Sequence, residues 1–215
     1  MELVQLKKLV RQGEGKQLEF KLKANHPEKI IREVVAFANT EGGILLIGVA
    51  DDKTIKGLKY PREDEYVLTR AIENQCFPPI DYQLERVLID DTREVLVFHI
   101  ARGEVLPHYV AENAHTRART AYIRIDDKSV KASREMREIL KSANSGRNFQ
   151  FEFGQKERLL MRYLEQHQSI TVDDFANTAN IPRRVASRTL VLLVLSKVLQ
   201  ILPSENQDVF QVADS

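Results

Sequence analysis

The sequence predicts an α/β protein of two domains: a mixed-sheet domain over residues 1–146, a linker at 147–154, and a small helical unit over 155–215 that closes in two short strands. Three observations carry this. The 215 residues exceed one ordinary domain of about 100–150 residues and fall well short of three. Before the linker, helical and alternating patterns surround one segment, Ile44–Val49, that is apolar or glycine at every position. After it, the rhythm becomes helix, short helix, longer helix, strand, strand.

Leu3, Leu6 and Leu9 or Val10 recur at helical spacing, and Gly13 and Gly15 end that helix. Alternation over Leu18–Leu22 predicts a strand with Leu18, Phe20 and Leu22 on one face and Glu19 and Lys21 on the other. Ile30, Val34, Phe37 and Ala38 form a helical stripe that Gly42 and Gly43 stop. Ile44–Val49 then reads as a central strand covered on both faces, and Asp51–Lys53 as a turn. Residues 66–76 form a helix closed by Pro78 and Pro79. Gln83–Ile89 and Glu94–Ile100 pair as a hairpin about the turn Asp90–Arg93. A polar, irregular stretch, Arg102–Thr120, leads to a strand at Ala121–Ile125 and a helix at Ser133–Ser142 that closes the domain. Asn144–Gly154, rich in Ser, Gly and Asn, is the linker region.

Beyond it, Lys156–Gln166 places Leu159, Leu160, Tyr163 and Leu164 inward, a second helix ends at Thr178, and Pro182 opens a third. Two strands, Val198–Leu202 and Val209–Val212, flank a polar tip. That order describes a winged helix-turn-helix. Leu190–Leu195 is apolar around the whole third helix, more than one buried face requires, which predicts a homodimer interface beside the simpler reading of a core.

Composition narrows the chemistry. Lys plus Arg at 32 nearly cancel Asp plus Glu at 31, so any nucleic-acid surface must be local. A single cysteine, Cys76, excludes an intrachain disulfide framework and Cys-rich zinc sites and fits a reducing cytoplasm. No apolar run approaches the roughly 18 residues of a membrane helix, and Met1–Gln12 reads as an amphipathic helix rather than a signal peptide. There is no GxxxxGK[ST] and no G-x-S-x-G, and the histidines lack ligand spacing.

The most specific stretch is AFANTEGGILLIGVADDKTIKGL, Ala36–Leu58, preceded by EGKQLEFK, Glu14–Lys21, and followed by LPHYV, Leu106–Val110, and AYIRIDDKSVKA, Ala121–Ala132. Together these motifs resemble the Schlafen AlbA-type (AlbA_2, formerly divergent AAA) domain over roughly residues 10 to 140. The resemblance implies an α/β domain with a mixed sheet and a role with DNA or RNA, since the family holds nucleic-acid-binding modules, transcription regulators and RNA endonucleases. The nuclease members' acidic trio matches Glu14, Glu19 and Asp51 here. Clustered carboxylates with hard oxygen donors suit Mg²⁺ or Mn²⁺, and Lys21 would neutralise a phosphate oxygen beside them. The same residues also read as a solvated charge, a sheet-surface pair and a turn. Because nuclease members use a duplicated arrangement and this chain has one copy, a clamp around RNA requires a homodimer.

Basic residues cluster over Arg117, Arg119, Arg124, Lys128, Lys131, Arg134, Arg137, Lys141 and Arg147, which predicts sequence-independent phosphate contacts. On the third helix of the second unit, Arg183, Arg184 and Arg188 are the expected DNA contacts, with Ser187 and Thr189 as neutral donors. His108 and Tyr109 suit stacking on a base or a buried pair. Gly42 and Gly43 suit a tight helix-to-strand turn, with Asn39 capping it, better than a phosphate cradle. The sequence thus points to a cytoplasmic, homodimeric nucleic-acid binder acting as a transcriptional regulator. The alternatives are a metal-dependent ribonuclease using the acidic trio and a protein-assembly module.

Overall fold

The computed structural model describes residues 1–111, 118–143 and 153–213. The chain forms two compact units, Met1–Lys131 and Ala132–Ser215. In the first, helix α1 (Leu3–Gln12), strand β1 (Leu18–Lys21), α2 (Pro27–Asn39), β2 (Gly43–Ile47) and α3 (Pro61–Gln75) come first. They are followed by β3 (Cys76–Phe77), the hairpin β4 (Tyr82–Asp90) and β5 (Arg93–Ile100), β6 (Tyr109–Ala111), β7 (Arg119–Thr120), β8 (Tyr122–Ile125) and β9 (Lys128–Lys131). The main sheet runs β1-β2-β5-β4, with β1 parallel to β2 and the remaining neighbours antiparallel, so it is mixed.

Both faces of that sheet are covered, which is why β2 is apolar throughout. Leu6 and Val10 of α1 pack with Phe20, Leu46, Val95 and Val97 on one face. On the other, Ile31, Val34 and Phe37 of α2 and Leu68 and Ile72 of α3 pack with Leu45, Ile47, Leu96 and Phe98. Strand alternation decides the fate of Glu19: its register partner is Leu45, so it lies on the α2 side rather than in solvent. Leu22, expected to share a face with Phe20, falls beyond β1 and is exposed.

The α2–β2 turn depends on two close approaches. Gly42 has φ +77°, and a Cβ there would stand 2.7 Å from the Ile100 carbonyl oxygen. A Cβ on Gly43 would stand 2.5 Å from the Phe37 ring. Asn39 does not cap this turn. Its Nδ2 donates to the carbonyls of His108 (2.9 Å) and Tyr122 (2.8 Å), and its Oδ1 accepts from the His108 backbone N–H at 2.7 Å. One buried amide thus ties α2 to the His108 segment and to β8.

The stretch read as irregular after the hairpin contains β6, which pairs with β3 and with β7. The expected strand at Ala121–Ile125 is half of a second hairpin, β8 and β9, turning at Asp126 with φ +50°. Periodicity missed β9 because Lys128, Ser129 and Lys131 leave Val130 as its only apolar residue.

The second unit comprises α4 (Arg134–Ala143), α5 (Gln155–Gln166), α6 (Val172–Thr178), α7 (Arg183–Leu195), β10 (Leu199–Leu202) and β11 (Val209–Val212). Leu160, Phe175, Ala186, Leu190, Leu193 and Phe210 form its core, and Thr171 caps α6 by accepting from the Asp174 N–H at 3.1 Å. Ile170 and Phe210 exchange two main-chain hydrogen bonds of 2.8 Å, extending the β10–β11 ribbon by an isolated bridge.

Helix α4 departs from the sequence reading. Ser133–Ser142 was expected to close the first domain, whereas α4 packs on α7: Ser187 Oγ donates to Glu135 Oε1 at 2.5 Å in a buried contact. Met136 and Leu140 of α4 are buried, as is Val191 one turn beyond Ser187. Part of the second apolar face of α7, at Val191, is therefore covered by α4 within the chain, while Leu192 and Leu195 of the run that predicted a homodimer interface stay half-buried. The same contact removes Ser187 from the expected nucleic-acid donors, and Thr189 is buried too.

Candidate functional site

Two carboxylates converge on one guanidinium, and a third, Glu14, lies beside Glu19. The Arg124 side chain, 1% exposed, sits over the Phe37 ring at 5.0 Å. Its Nη2 donates to Glu19 Oε2 at 2.5 Å and its Nη1 to Glu33 Oε2 at 2.5 Å. Nε and Nη2 donate to the Gly15 carbonyl at 3.1 and 3.0 Å. Lys21 Nζ pairs with Glu19 Oε1 and donates to the Phe20 carbonyl at 2.9 Å, while Ser129 Oγ donates to Glu33. Glu14 Oε1 accepts from the Phe20 backbone N–H at 2.8 Å.

This arrangement corrects the reading of Arg124 as a phosphate contact. Both faces of β8 are covered, so its outward position on a two-residue alternation does not exist, and the guanidinium is consumed by protein partners. It also bears on the acidic trio. Glu14, Glu19 and Asp51 are close enough that Glu19 and Asp51 both raise the Glu14 pKa, after the larger effect of burial and against the Phe20 N–H, which lowers it. Both oxygens of Glu19, however, are held by Arg124 and Lys21. Among the described residues no set of three or more His, Cys, Asp or Glu side chains is arranged to hold a metal ion. The donor set here does not fit Mg²⁺ or Mn²⁺, because the position of a cation against Glu19 is filled by Arg124.

Burial also raises the Glu33 carboxyl above its ordinary value of 4.5, with Ser129 and Arg124 pulling it back. For both Glu14 and Glu33 the folded pKa lies above the unfolded one. Their contribution is thus present below about pH 4.5 and is lost as pH rises through the folded value. Glu14→Gln keeps an oxygen to accept from Phe20 and removes the titration. Its urea midpoint is expected to gain on the wild type as pH rises from 4.5 to about 7.5, and a difference that stays constant with pH would refute this.

Lys128 and Lys131 are exposed but lie three positions apart on β9, hence on opposite faces. Arg119 is exposed on β7 with its guanidinium 4.4 Å from the Phe77 ring centroid. Arg117 and Arg147 lie outside the described residues. His108 is buried, with Nδ1 2.9 Å from the Pro78 carbonyl, so it is not a stacking platform. Cys76 is buried and its thiol is pushed up to about 12, which keeps it protonated and unreactive. No helix among the described residues is long and apolar enough to cross a membrane.

On α7 the expected arginines separate. Arg183 Nε pairs with Asp173 Oδ1 at 2.7 Å. Arg184 and Arg188, one helical turn apart and both exposed, make no ion pair among the described residues. Sequence reasoning could list all three arginines, but Asp173 lies ten residues before Arg183 on another helix, beyond any local pattern.

Among solved structures, the DIP2311 protein from Corynebacterium diphtheriae is 20% identical, with a TM-score of 0.42. The match covers 68% of this chain and 33% of that one. The family model described as Schlafen, AlbA_2 matches residues 14–133, which takes in the Glu14–Lys21 segment with β1, the Gly42–Gly43 turn and both strands of the β8–β9 hairpin. Since that span is more than half of the chain, the protein belongs to the Schlafen AlbA_2 family.

Proposed function

We propose that this chain is a nucleic-acid-binding protein whose second unit acts as a winged helix-turn-helix on duplex DNA, in the service of transcriptional regulation. Family membership supports the nucleic-acid role. The observation that carries the DNA reading is the pair Arg184 and Arg188, exposed in the first half of α7 and without carboxylate partners among the described residues. An α6–α7 pair followed by a short ribbon puts the start of the second helix where a major groove is read. Arg183 is assigned a positioning role, holding α7 to α6 through Asp173.

Phosphate or base-edge contacts by two arginines give a salt-dependent affinity, with a slope that falls by about one for each cation removed from a phosphate. The double variant Arg184→Ala with Arg188→Ala is expected to weaken duplex binding by at least about tenfold and to flatten the salt slope by roughly two, read by fluorescence anisotropy across a salt series. Both side chains are exposed, so folding should be unaffected. Affinity and slope equal to the wild type would remove α7 as the contact.

A further inference from the structure

A concavity lies beyond the carboxyl ends of the parallel strands β1 and β2, the place where open α/β sheets commonly bind ligands. Its volume is about 520 Å³. Lys23, Ala24 and Asn25, just after β1, form one wall; Gly57–Tyr60 and the first turns of α3 form another, with Arg93 from the start of β5. The Gly57 N–H donates to the Gly48 carbonyl at 2.9 Å, which holds this segment beside the end of β2.

The scaffold of the cleft is rigidly tied. Asp64 Oδ1 accepts from the Ala24 N–H at 2.7 Å, joining α3 to the β1–α2 connection. Leu58 and Glu94 exchange main-chain hydrogen bonds of 2.6 and 3.1 Å. Gly57 has φ +66°, and a Cβ there would stand 2.8 Å from Arg93 Cβ, so glycine lets the arginine come close. Arg93 Nη1 donates to the Lys56 carbonyl at 3.0 Å, fixing one edge of its guanidinium.

The chemistry of the rim is that of an anion site with an aromatic neighbour. Lys23, Lys59 and Arg93 make no ion pair among the described residues. Against them stand Asp64, already bonded to Ala24, and the exposed Glu63. Tyr60 is 60% exposed, and the Lys59 ammonium lies 5.4 Å from its ring centroid. An exposed aromatic ring at the rim of a cleft lined by three cations without ion pairs offers a flat face on which a base can stack.

We propose that this cleft binds a nucleotide, with Lys23, Lys59 and Arg93 on its phosphate and the Tyr60 ring against its base. The phosphate could belong to a free nucleotide or to a single strand, and the shared chemistry is the same. The test uses the full chain with labelled oligouridylate and oligothymidylate of about ten nucleotides, read by anisotropy, and with uridine monophosphate alone, read by calorimetry. Lys23→Glu with Lys59→Glu is expected to weaken binding by at least about tenfold and to lower the salt slope. Tyr60→Ala is expected to cost about tenfold with the slope retained, and Tyr60→Phe to stay near the wild type. All three positions are exposed, so each variant should keep its thermal midpoint. Equal binding of the monophosphate and the strands identifies a free nucleotide, whereas strand binding alone identifies a single strand. The proposal is overturned if no probe binds, or if the charge-reversed and Tyr60→Ala variants both stay within about twofold of the wild type. The Arg184→Ala, Arg188→Ala variant should retain all of this binding, which keeps the cleft and α7 separately testable.

Discussion

Arg124→Ala is expected to lower the stability of the first unit by about 3–5 kcal/mol, because removing one partner of a buried ionic network leaves the others charged and unpaired. The guanidinium satisfies Glu19, Glu33 and the Gly15 carbonyl together, from an atom set 1% exposed to water. Lysine is no substitute: its single ammonium cannot donate along three edges of a plane or lie flat over Phe37. Replacing the two acids as well, in the triple variant Arg124→Ala, Glu19→Gln, Glu33→Gln, should restore at least about 1 kcal/mol, since the cost comes from stranded charge as much as from lost bonds. Urea unfolding of the wild type, the single and the triple variant measures both quantities. A single-variant cost below about 1 kcal/mol would mean that the carboxylates find other partners and that Arg124 is not the centre of the network.

Gly42→Ala should be the next most damaging change, at about 2–4 kcal/mol, combining a left-handed backbone with overpacking. The new Cβ would meet the Ile100 carbonyl oxygen at 2.7 Å and the Arg102 nitrogen at 3.1 Å. These are main-chain atoms at the end of β5 and cannot swing aside as a long side chain would. The turn is also closed by the Gly42 N–H, which donates to the Phe37 carbonyl at 2.9 Å. Gly15→Ala is the matched control: a Cβ there meets nothing within 4 Å, and the change is expected to stay within about 0.5 kcal/mol. Equal thermal midpoints for the two alanine variants would show that the turn yields more readily than its geometry implies.

The helices, the central strand and the first hairpin were legible because each announces itself locally. Ile44–Val49 is apolar on both faces since α1 covers one side of the sheet and α2 and α3 cover the other. Arg124 was not legible. Its partners Glu19 and Glu33 lie 105 and 91 residues away, and an arginine between two isoleucines on a short strand reads as a surface residue until those partners are known. The surplus apolar face of α7 predicted cover by a second copy or by the core, and α4 supplies part of that cover at Val191, because periodicity specifies only that a face is apolar, not what packs on it. The amphipathic stripe of α4, Met136 and Leu140, carried the complementary half of that information without an address. The free pair Arg184 and Arg188 stood out from Arg183 only when Asp173 was placed in space.

The attachment of α4 to α7 has a consequence for how such chains are assembled from parts. The family match ends at residue 133, and Ser133 Oγ already accepts from the Met136 N–H at 3.0 Å to start α4. The seam between the two folds therefore falls at Lys131–Ala132, before α4, and not in the polar stretch that follows it. A gene fusion that exchanged the tail after residue 146 would strand α4 on the wrong protein and deliver a tail whose α7 lacked its cover. Grafts between relatives should be joined ahead of Ala132, carrying the helix along with the ribbon and arginines it supports.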